Sequence, residues 1–264
     1  MNGRPFQIVN YSLSHVGCVR KLNEDRYFAD PKAGIWVVAD GMGGHDAGDL
    51  ASEAIVQSLE SLPEVLSAAD LDEQFRRRIG RANDYIQQLS IERGNIVIGS
   101  TVVGLLGYGD AYRCIWSGDS RAYLLRGDTL TQLSRDHTEV QELFDSGKLS
   151  SEEAANYPRR NVITNAIGVG KPPHFDVVDG NIQTGDTFLL CSDGLTAHVS
   201  NLEIGEIMAG QRARQICEQL IEIALDRGGT DNVTVNVIQF YASKATIPVD
   251  FANKVGKEIS GVDD

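Results

Sequence analysis

Ile35-Trp36-Val37-Val38-Ala39-Asp40-Gly41-Met42-Gly43-Gly44 decides how this chain is read. Its first five residues form an apolar run of strand length. A carboxylate at the end of a buried strand is costly unless it is paired or bound to a metal. Asp40 stands at that end. The glycines behind it permit backbone turns closed to other residues and let a carbonyl face a ligand. A helix is expected to begin near Asp46. Taken alone, the segment reads equally well as a glycine-rich turn with a capping aspartate, because short glycine motifs are weak evidence.

The same juxtaposition recurs along the chain. Phe188-Leu189-Leu190-Cys191 runs into Ser192-Asp193-Gly194, and Thr230-Asp231-Asn232 runs into Val233-Thr234-Val235. Asn23-Glu24-Asp25 precedes another strand-like stretch. Each is an ordinary turn signal by itself. Together, carboxylates at several strand ends suggest one cluster of hard oxygen ligands, the kind that holds Mg²⁺ or Mn²⁺. Asp119 lies between two strands in Trp116-Ser117-Gly118-Asp119-Ser120-Arg121. Arg20 lies four residues before Glu24. A lone Arg is usually a surface residue, but beside a cation cluster it can clamp a phosphate through two parallel hydrogen bonds.

Strand patterning appears at Phe6–Leu13, Arg26–Ala29, Ile35–Ala39, Thr101–Leu106, Ala111–Ser117, Ala122–Arg126, Phe175–Val178, Thr187–Cys191 and Val233–Phe240. Gly107-Tyr108-Gly109-Asp110 and Arg126-Gly127-Asp128 are hairpin-like, which argues for antiparallel sheets. Helical periodicity covers Ala47–Leu62, with Leu50, Ala51, Ala54, Ile55, Ser58 and Leu59 on one face. Two more helices are expected at Leu71–Leu89 and about Arg212–Leu225. Sheets in the middle with helices outside is the economical arrangement, an α+β fold. Residues 138–161 are polar and contain Gly147, Ser150, Ser151 and Pro158. They read as a helix-containing flap, a length of insertion that is often functional. Residues 1–242 are thus expected to form one domain and 243–264 a frayed tail.

Bulk properties narrow the function. A chain of 264 residues that is 42% hydrophobic suffices for one domain with a substantial core. It has no apolar run of membrane-spanning length and no visible signal peptide, so a cytoplasmic protein is expected. Cys18, Cys114, Cys191 and Cys217 are far apart and read as free thiols of a reducing compartment. A net charge of −13 repels nucleic-acid phosphates.

The ordered set of motifs resembles the metal-dependent Ser/Thr protein phosphatases of the 2C type, the PPM family. The matching stretches are Gly17-Cys18-Val19-Arg20 through Asn23-Glu24-Asp25, Val38 through Gly44, Gly99-Ser100-Thr101, Gly118-Asp119-Ser120-Arg121 and Asp136-His137-Thr138. They continue with Asn161-Val162-Ile163-Thr164, Ala166-Ile167-Gly168, Ser192-Asp193-Gly194-Leu195 and Gly229-Thr230-Asp231-Asn232. Met42 is similar to the bacterial branch. The resemblance implies an αββα sandwich of two antiparallel sheets between helices, with two Mn²⁺ or Mg²⁺ ions at one end. It implies that Asp40 bridges both ions, that the Gly41 carbonyl binds one and that Asp193 and Asp231 bind the other. Glu24 would act on a metal directly or through water, and Asp119 with Asp193 would hold a third, weaker ion. Arg20 would hold substrate phosphate, and the flap would shape access. Phosphorylated proteins would be the substrates of a monomeric enzyme opposing a Ser/Thr kinase. Eukaryotic members carry His at the position of Met42, proposed there as a proton donor; a metal-bound water or His45 is the alternative, although an ordinary loop histidine is the plainer reading.

Other phosphatase chemistries fail on residues. The sixth residues after the four cysteines are Glu24, Ser120, Ala197 and Ile223, so no Cys-x5-Arg exists. Asp70-Leu71-Asp72-Glu73-Gln74 is the nearest failure of the aspartyl-nucleophile pattern. A two-metal phosphodiesterase and an inactive binding module with the same fold remain the alternatives.

Overall fold

The structure, a computed structural model, describes residues 6–44, 47–60, 62–170 and 172–243. The tail beyond Ser243 and His45 lie outside the described residues. In chain order the strands are β1 (Phe6–His15), β2 (Asp25–Asp30), β3 (Ile35–Gly43), β4 (Ile98–Ser100), β5 (Val102–Tyr108), β6 (Ala111–Ser117), β7 (Arg121–Arg126), β8 (Thr129–Gln132), β9 (Asp176–Asn181), β10 (Thr187–Cys191) and β11 (Val233–Ala242). The helices are α1 (Gly48–Leu59), α2 (Ala68–Glu92), α3 (Glu139–Asp145), α4 (Ser151–Ala155), α5 (Asp193–Thr196), α6 (Asn201–Met208) and α7 (Ala213–Asp226).

One sheet has the order β1-β11-β10-β7-β8, and the other β2-β3-β5-β6-β9 with β4 paired to β3. The strand pairs are antiparallel, as the tight turns required. β3 shows how the layers form. Ile35, Val37 and Ala39 join Ile55, Leu59, Phe75 and Ile79 in a cluster against α1 and α2. Trp36 and Val38 face the other way and pack with Phe188, Leu190, Ile238 and Phe240 of the second sheet. On that sheet's far side Leu189, Val235 and Val237 pack against Ile216, Leu220 and Ala224 of α7. Two sheets with helices on both outer faces follow directly from strands that are apolar on both faces.

The sequence expectations and the structure differ in three places. β4 and β8 carry too few residues, and β8 too little apolar patterning, to show by periodicity. α5 and α6 are likewise not among the expected helices, although Ser200 and Glu203 form a reciprocal capping box at the start of α6. α1 is rotated from the face expected: Ser52 and Val56 are buried instead of Leu50 and Ala54. On that buried face the Ser52 hydroxyl donates to the Glu24 carbonyl at 2.5 Å, beside the apolar side chains of Ala51, Ile55, Val56 and Leu59. The flap segment holds α3 and α4, neither of which has a buried residue. Among the described residues no helix is long and apolar enough to cross a membrane.

Trp36 is fully buried between the sheets and meets Phe240 edge-on at 6.1 Å. Trp36→Ala should cost about 3–5 kcal/mol of unfolding free energy, the range for emptying such a site. Denaturant titration followed by circular dichroism measures it, and a loss below about 1 kcal/mol would show that the sheets do not depend on this contact.

Candidate metal centre

β3 and β2 run side by side with Asp40 opposite Asp25. The loop before β2 is tied to the start of β11 by one side chain. The Asn232 amide donates to the carbonyls of Val16 at 2.9 Å and Leu22 at 3.0 Å, and its oxygen accepts the Glu24 N–H at 2.8 Å. Asp231, immediately before it, is thereby held beside Arg20, whose guanidinium donates to Asp231 Oδ2 at 2.8 Å. The end of β10 joins the same place. Ser192 Oγ donates to Asp25 Oδ2 at 2.7 Å and accepts the Thr234 N–H at 3.0 Å. Asp193 follows as the first residue of α5, near enough to Asp40 for its charge to raise that carboxyl's pKa.

Two further contacts complete the frame. Glu24 Oε1 accepts the Gly48 N–H at 3.0 Å, at the N-terminus of α1, where the exposed amides favour an anion. Thr101 Oγ1 accepts the Asp40 N–H at 3.1 Å and shares a hydrogen bond with Ser120 Oγ at 2.7 Å, which connects β3 to the Asp119 loop. Gly41 sits where three backbone segments cross: a Cβ there would run into the carbonyl oxygens of Gly48 and Glu24. A cavity of about 490 Å³ opens beside this cluster, walled by Asp119 and Asp193 on one side and by Val140, Phe144 and Arg160 of the flap on the other.

Residues 12–143 match the family described as protein phosphatase 2C. The chain belongs to the protein phosphatase 2C family. It is 37% identical over 222 residues to the serine/threonine protein phosphatase PstP of Mycobacterium tuberculosis, covering 84% of this chain and 43% of that protein. The chain therefore spans less than half of that relative's length. It is 36% identical to the serine/threonine phosphatase stp of Listeria innocua, over 84% of this chain and 92% of the relative. The solved structure of PppA, a key regulatory component of T6SS in Pseudomonas aeruginosa, superposes with a TM-score of 0.83 at 39% identity over 89% of this chain and 98% of that one. The PstP catalytic domain, solved in complex with two manganese ions, superposes with a TM-score of 0.77 at 34% identity over 89% of this chain and 98% of that domain.

The electrostatics suit the divalent cations of this family. Burial pushes the Asp40 carboxyl well above its ordinary pKa, and the charges of Asp25, Asp193, Asp119 and Asp231 add to the shift. Burial raises Asp25 to about 7 although the Ser192 and Thr234 hydrogen bonds oppose it. Asp119 rises to about 8, again chiefly through burial and then through Asp193 and Asp136. Asp193 is raised by burial and by Asp231. Among the described residues, Asp25 Oδ1 and Asp119 Oδ1 are buried without a hydrogen-bond partner. Partnerless carboxylate oxygens in a set that contains no thiolate fit a hard cation. Among the described residues no three acidic, His or Cys side chains are drawn into a finished ligand cage. Asp231 leans on Arg20 and Glu24 on the α1 amide instead. The Arg20–Asp231 pair is half exposed, 51% and 37%, so opening it costs little.

The residues read as metal ligands and as the phosphate clamp lie near one another, whereas His45 lies outside the described residues. Asp40, Gly41, Asp193 and Asp119 lie in or against one cluster, with Glu24, Asp231 and Arg20 at its rim. Asp25, Ser192, Asn232 and Thr101 were not assigned roles, although each stands inside a quoted motif. Asp25 is the plainest omission, because a strand that pairs with β3 at this register must bring it opposite Asp40.

A carboxyl raised by folding binds its proton more tightly in the native state. Its stabilising contribution is full below the ordinary carboxylate pKa of 3.8 and is lost as pH rises through about 7 for Asp25 and about 8 for Asp119. Protein stripped with chelator should therefore melt at progressively lower temperature from pH 5 to pH 8. Added Mn²⁺ should raise the melting temperature more at pH 8 than at pH 6, because the ion competes with those protons. Melting curves that do not change with pH in chelator would contradict this electrostatic picture.

Proposed function

We infer that this chain is a metal-dependent protein phosphatase that hydrolyses phosphoserine and phosphothreonine. The observation that carries the reading is the convergence of Asp25, Asp40, Asp119, Asp193 and Asp231 on one another's electrostatic field, with Arg20 beside them. The names of the relatives point the same way, as serine/threonine phosphatases. Asp40, the Gly41 carbonyl, Asp193 and Asp231 would hold two Mn²⁺ or Mg²⁺ ions, Glu24 would steady one of them, and Asp119 with Asp193 would take a third, weaker ion. When bound, such ions neutralise phosphate oxygens and acidify water.

The chain's own residues supply the rest. Arg20 is half exposed at the rim and offers its guanidinium to a phosphate dianion, exchanging Asp231 for a doubly hydrogen-bonded substrate. The cavity under the flap accepts the peptide around the phosphorylated residue. Cys191, one residue from Ser192, is buried with its thiol pushed up to about 12 by desolvation, so it is no nucleophile near neutral pH. In this reading water would be the attacking group, and no covalent enzyme intermediate would then be needed. Met42 has no proton to give to the leaving oxygen.

Phosphoproteins are the substrate class of this reading, placed opposite a Ser/Thr kinase, with the enzyme acting as a cytoplasmic monomer. The net charge of −13 disfavours a nucleic-acid substrate.

Release of phosphate from p-nitrophenyl phosphate and from a phosphothreonine peptide should require Mn²⁺ and stop on chelation. Asp193→Asn and Asp231→Asn should each lower kcat by about 100-fold or more, above the range for supporting groups, while the fold persists by circular dichroism. A folded, manganese-loaded protein with no phosphate release would favour a binding module instead. Arg20→Ala should raise KM about tenfold, the equivalent of one hydrogen bond to a charged group, with a smaller change in kcat. An unchanged KM would remove Arg20 from the phosphate.

A further inference from the structure

We propose that His137 is a positioning residue: its neutral imidazole, carrying its proton on Nε2, clamps the Asp119 loop to the base of the flap and so sets the site of the weaker ion. The inference rests on the assignment of Asp119 as a ligand and extends it to a residue that touches neither ion nor substrate.

The clamp is reciprocal. The His137 N–H donates to the Gly118 carbonyl at 3.0 Å, and the Gly118 N–H donates back to His137 Nδ1 at 3.1 Å. Both backbone groups of the residue preceding Asp119 are thus taken by one histidine. Gly118 adopts φ +113°, and a Cβ there would collide with Thr101, so this loop has a single way to lie. Asp119 itself is 6% exposed, and its Oδ1 has no hydrogen-bond partner among the described residues. The direction of that carboxyl therefore depends on what holds Gly118.

The ring's protonation follows from its neighbours. The Asn165 amide also donates to Nδ1, at 3.1 Å, and donates to the His174 carbonyl at 3.0 Å. Two donors on Nδ1 require it to be the acceptor nitrogen, which leaves the proton on Nε2. Nε2 faces Asp176 Oδ2 at 3.2 Å, and the other oxygen of that carboxylate lies 3.2 Å from His174 Nε2. Trp116 covers one face of the ring, with centroids 6.2 Å apart and planes inclined by 30°. Only 13% of the side chain is exposed.

The same residue closes the flap. The Thr164 N–H donates to the His137 carbonyl at 2.8 Å, Thr138 bridges Ile163, and the Glu139 N–H donates to the Val162 carbonyl at 2.9 Å. The two ends of the flap are zipped together at His137 and Thr138. One side chain therefore registers the flap base against the Asp119 loop, across the cavity that both line.

Two variants and one spectrum test this. In Mg²⁺-loaded wild type, long-range ¹H–¹⁵N correlation of the histidine rings should show His137 as the Nε2–H tautomer. His137→Leu should weaken the weakest step of a calorimetric Mn²⁺ titration by 10- to 100-fold, the usual cost of removing a group that orients a ligand. The tighter steps should not move. His137→Asn, whose amide oxygen reaches the place of Nδ1, should restore the weak step to within about threefold of wild type. An Nδ1–H tautomer overturns the proposal, as does a folded His137→Leu protein with an unaltered weak step. If His137→Leu does not fold, the ring spectrum and His137→Asn decide, and a His137→Asn protein weakened as much as 10-fold overturns it. A wild type that shows no weak step at all overturns the assignment of Asp119 as a ligand, whereas an intact weak step that ignores His137 overturns only the role given to the histidine.

Discussion

Burial of like charge is the constraint on which this molecule is built. Desolvation, and after it the charges of neighbouring carboxylates, raises the proton affinity of Asp25, Asp40, Asp119 and Asp193, and Asp25 and Asp119 are buried almost completely. No chain gathers such groups without opposing forces. Part of the opposition is the two-sheet core, whose strands are apolar on both faces and fix where each strand ends. The rest is a set of neutral hydrogen-bonding side chains between the carboxyls. Asn232, Ser192, Thr101 and Ser120 join segments as far apart in sequence as residues 16 and 232. The electrostatic character of the cluster is thus a property of the scaffold that compresses it, and a divalent cation bound there would relieve the compression.

Much of this could be read before any coordinates. The apolar runs at 35–39 and 187–191 announce strands buried on both faces, and the acidic residues at their ends announce a cluster, because charge at such positions needs a partner. Antiparallel pairing followed from the turn glycines at Gly109 and Gly127. What escaped was information carried by single contacts. The burial of Ser52 in α1 goes with its hydroxyl meeting the Glu24 carbonyl, a contact that no hydrophobic periodicity encodes. The short strands β4 and β8 owe their conformation to the neighbours they pair with, β3 and β7.

The site was legible in the same uneven way. Most residues that carry formal charge stood out in the sequence, although Asp25 did not, and in the folded chain Asp25, Asp119, Asp193 and Asp231 all act on Asp40. The neutral residues that hold them did not, since Asn, Ser and Thr beside an aspartate look like any turn. The Arg20–Asp231 pair is equally hidden, since the two residues stand 211 positions apart and only the folded chain shows them joined.

The crossing at Gly41 has a consequence for how sequences of this kind can drift. Its α-carbon faces two carbonyl oxygens on neighbouring segments, so any side chain would have to displace Gly48 and Glu24 together. No single codon change offers a tolerable intermediate there. Met42, next in the chain, is only half buried. Adjacent positions in one short motif are therefore under different steric constraints, one closed to any side chain and the other partly open to solvent.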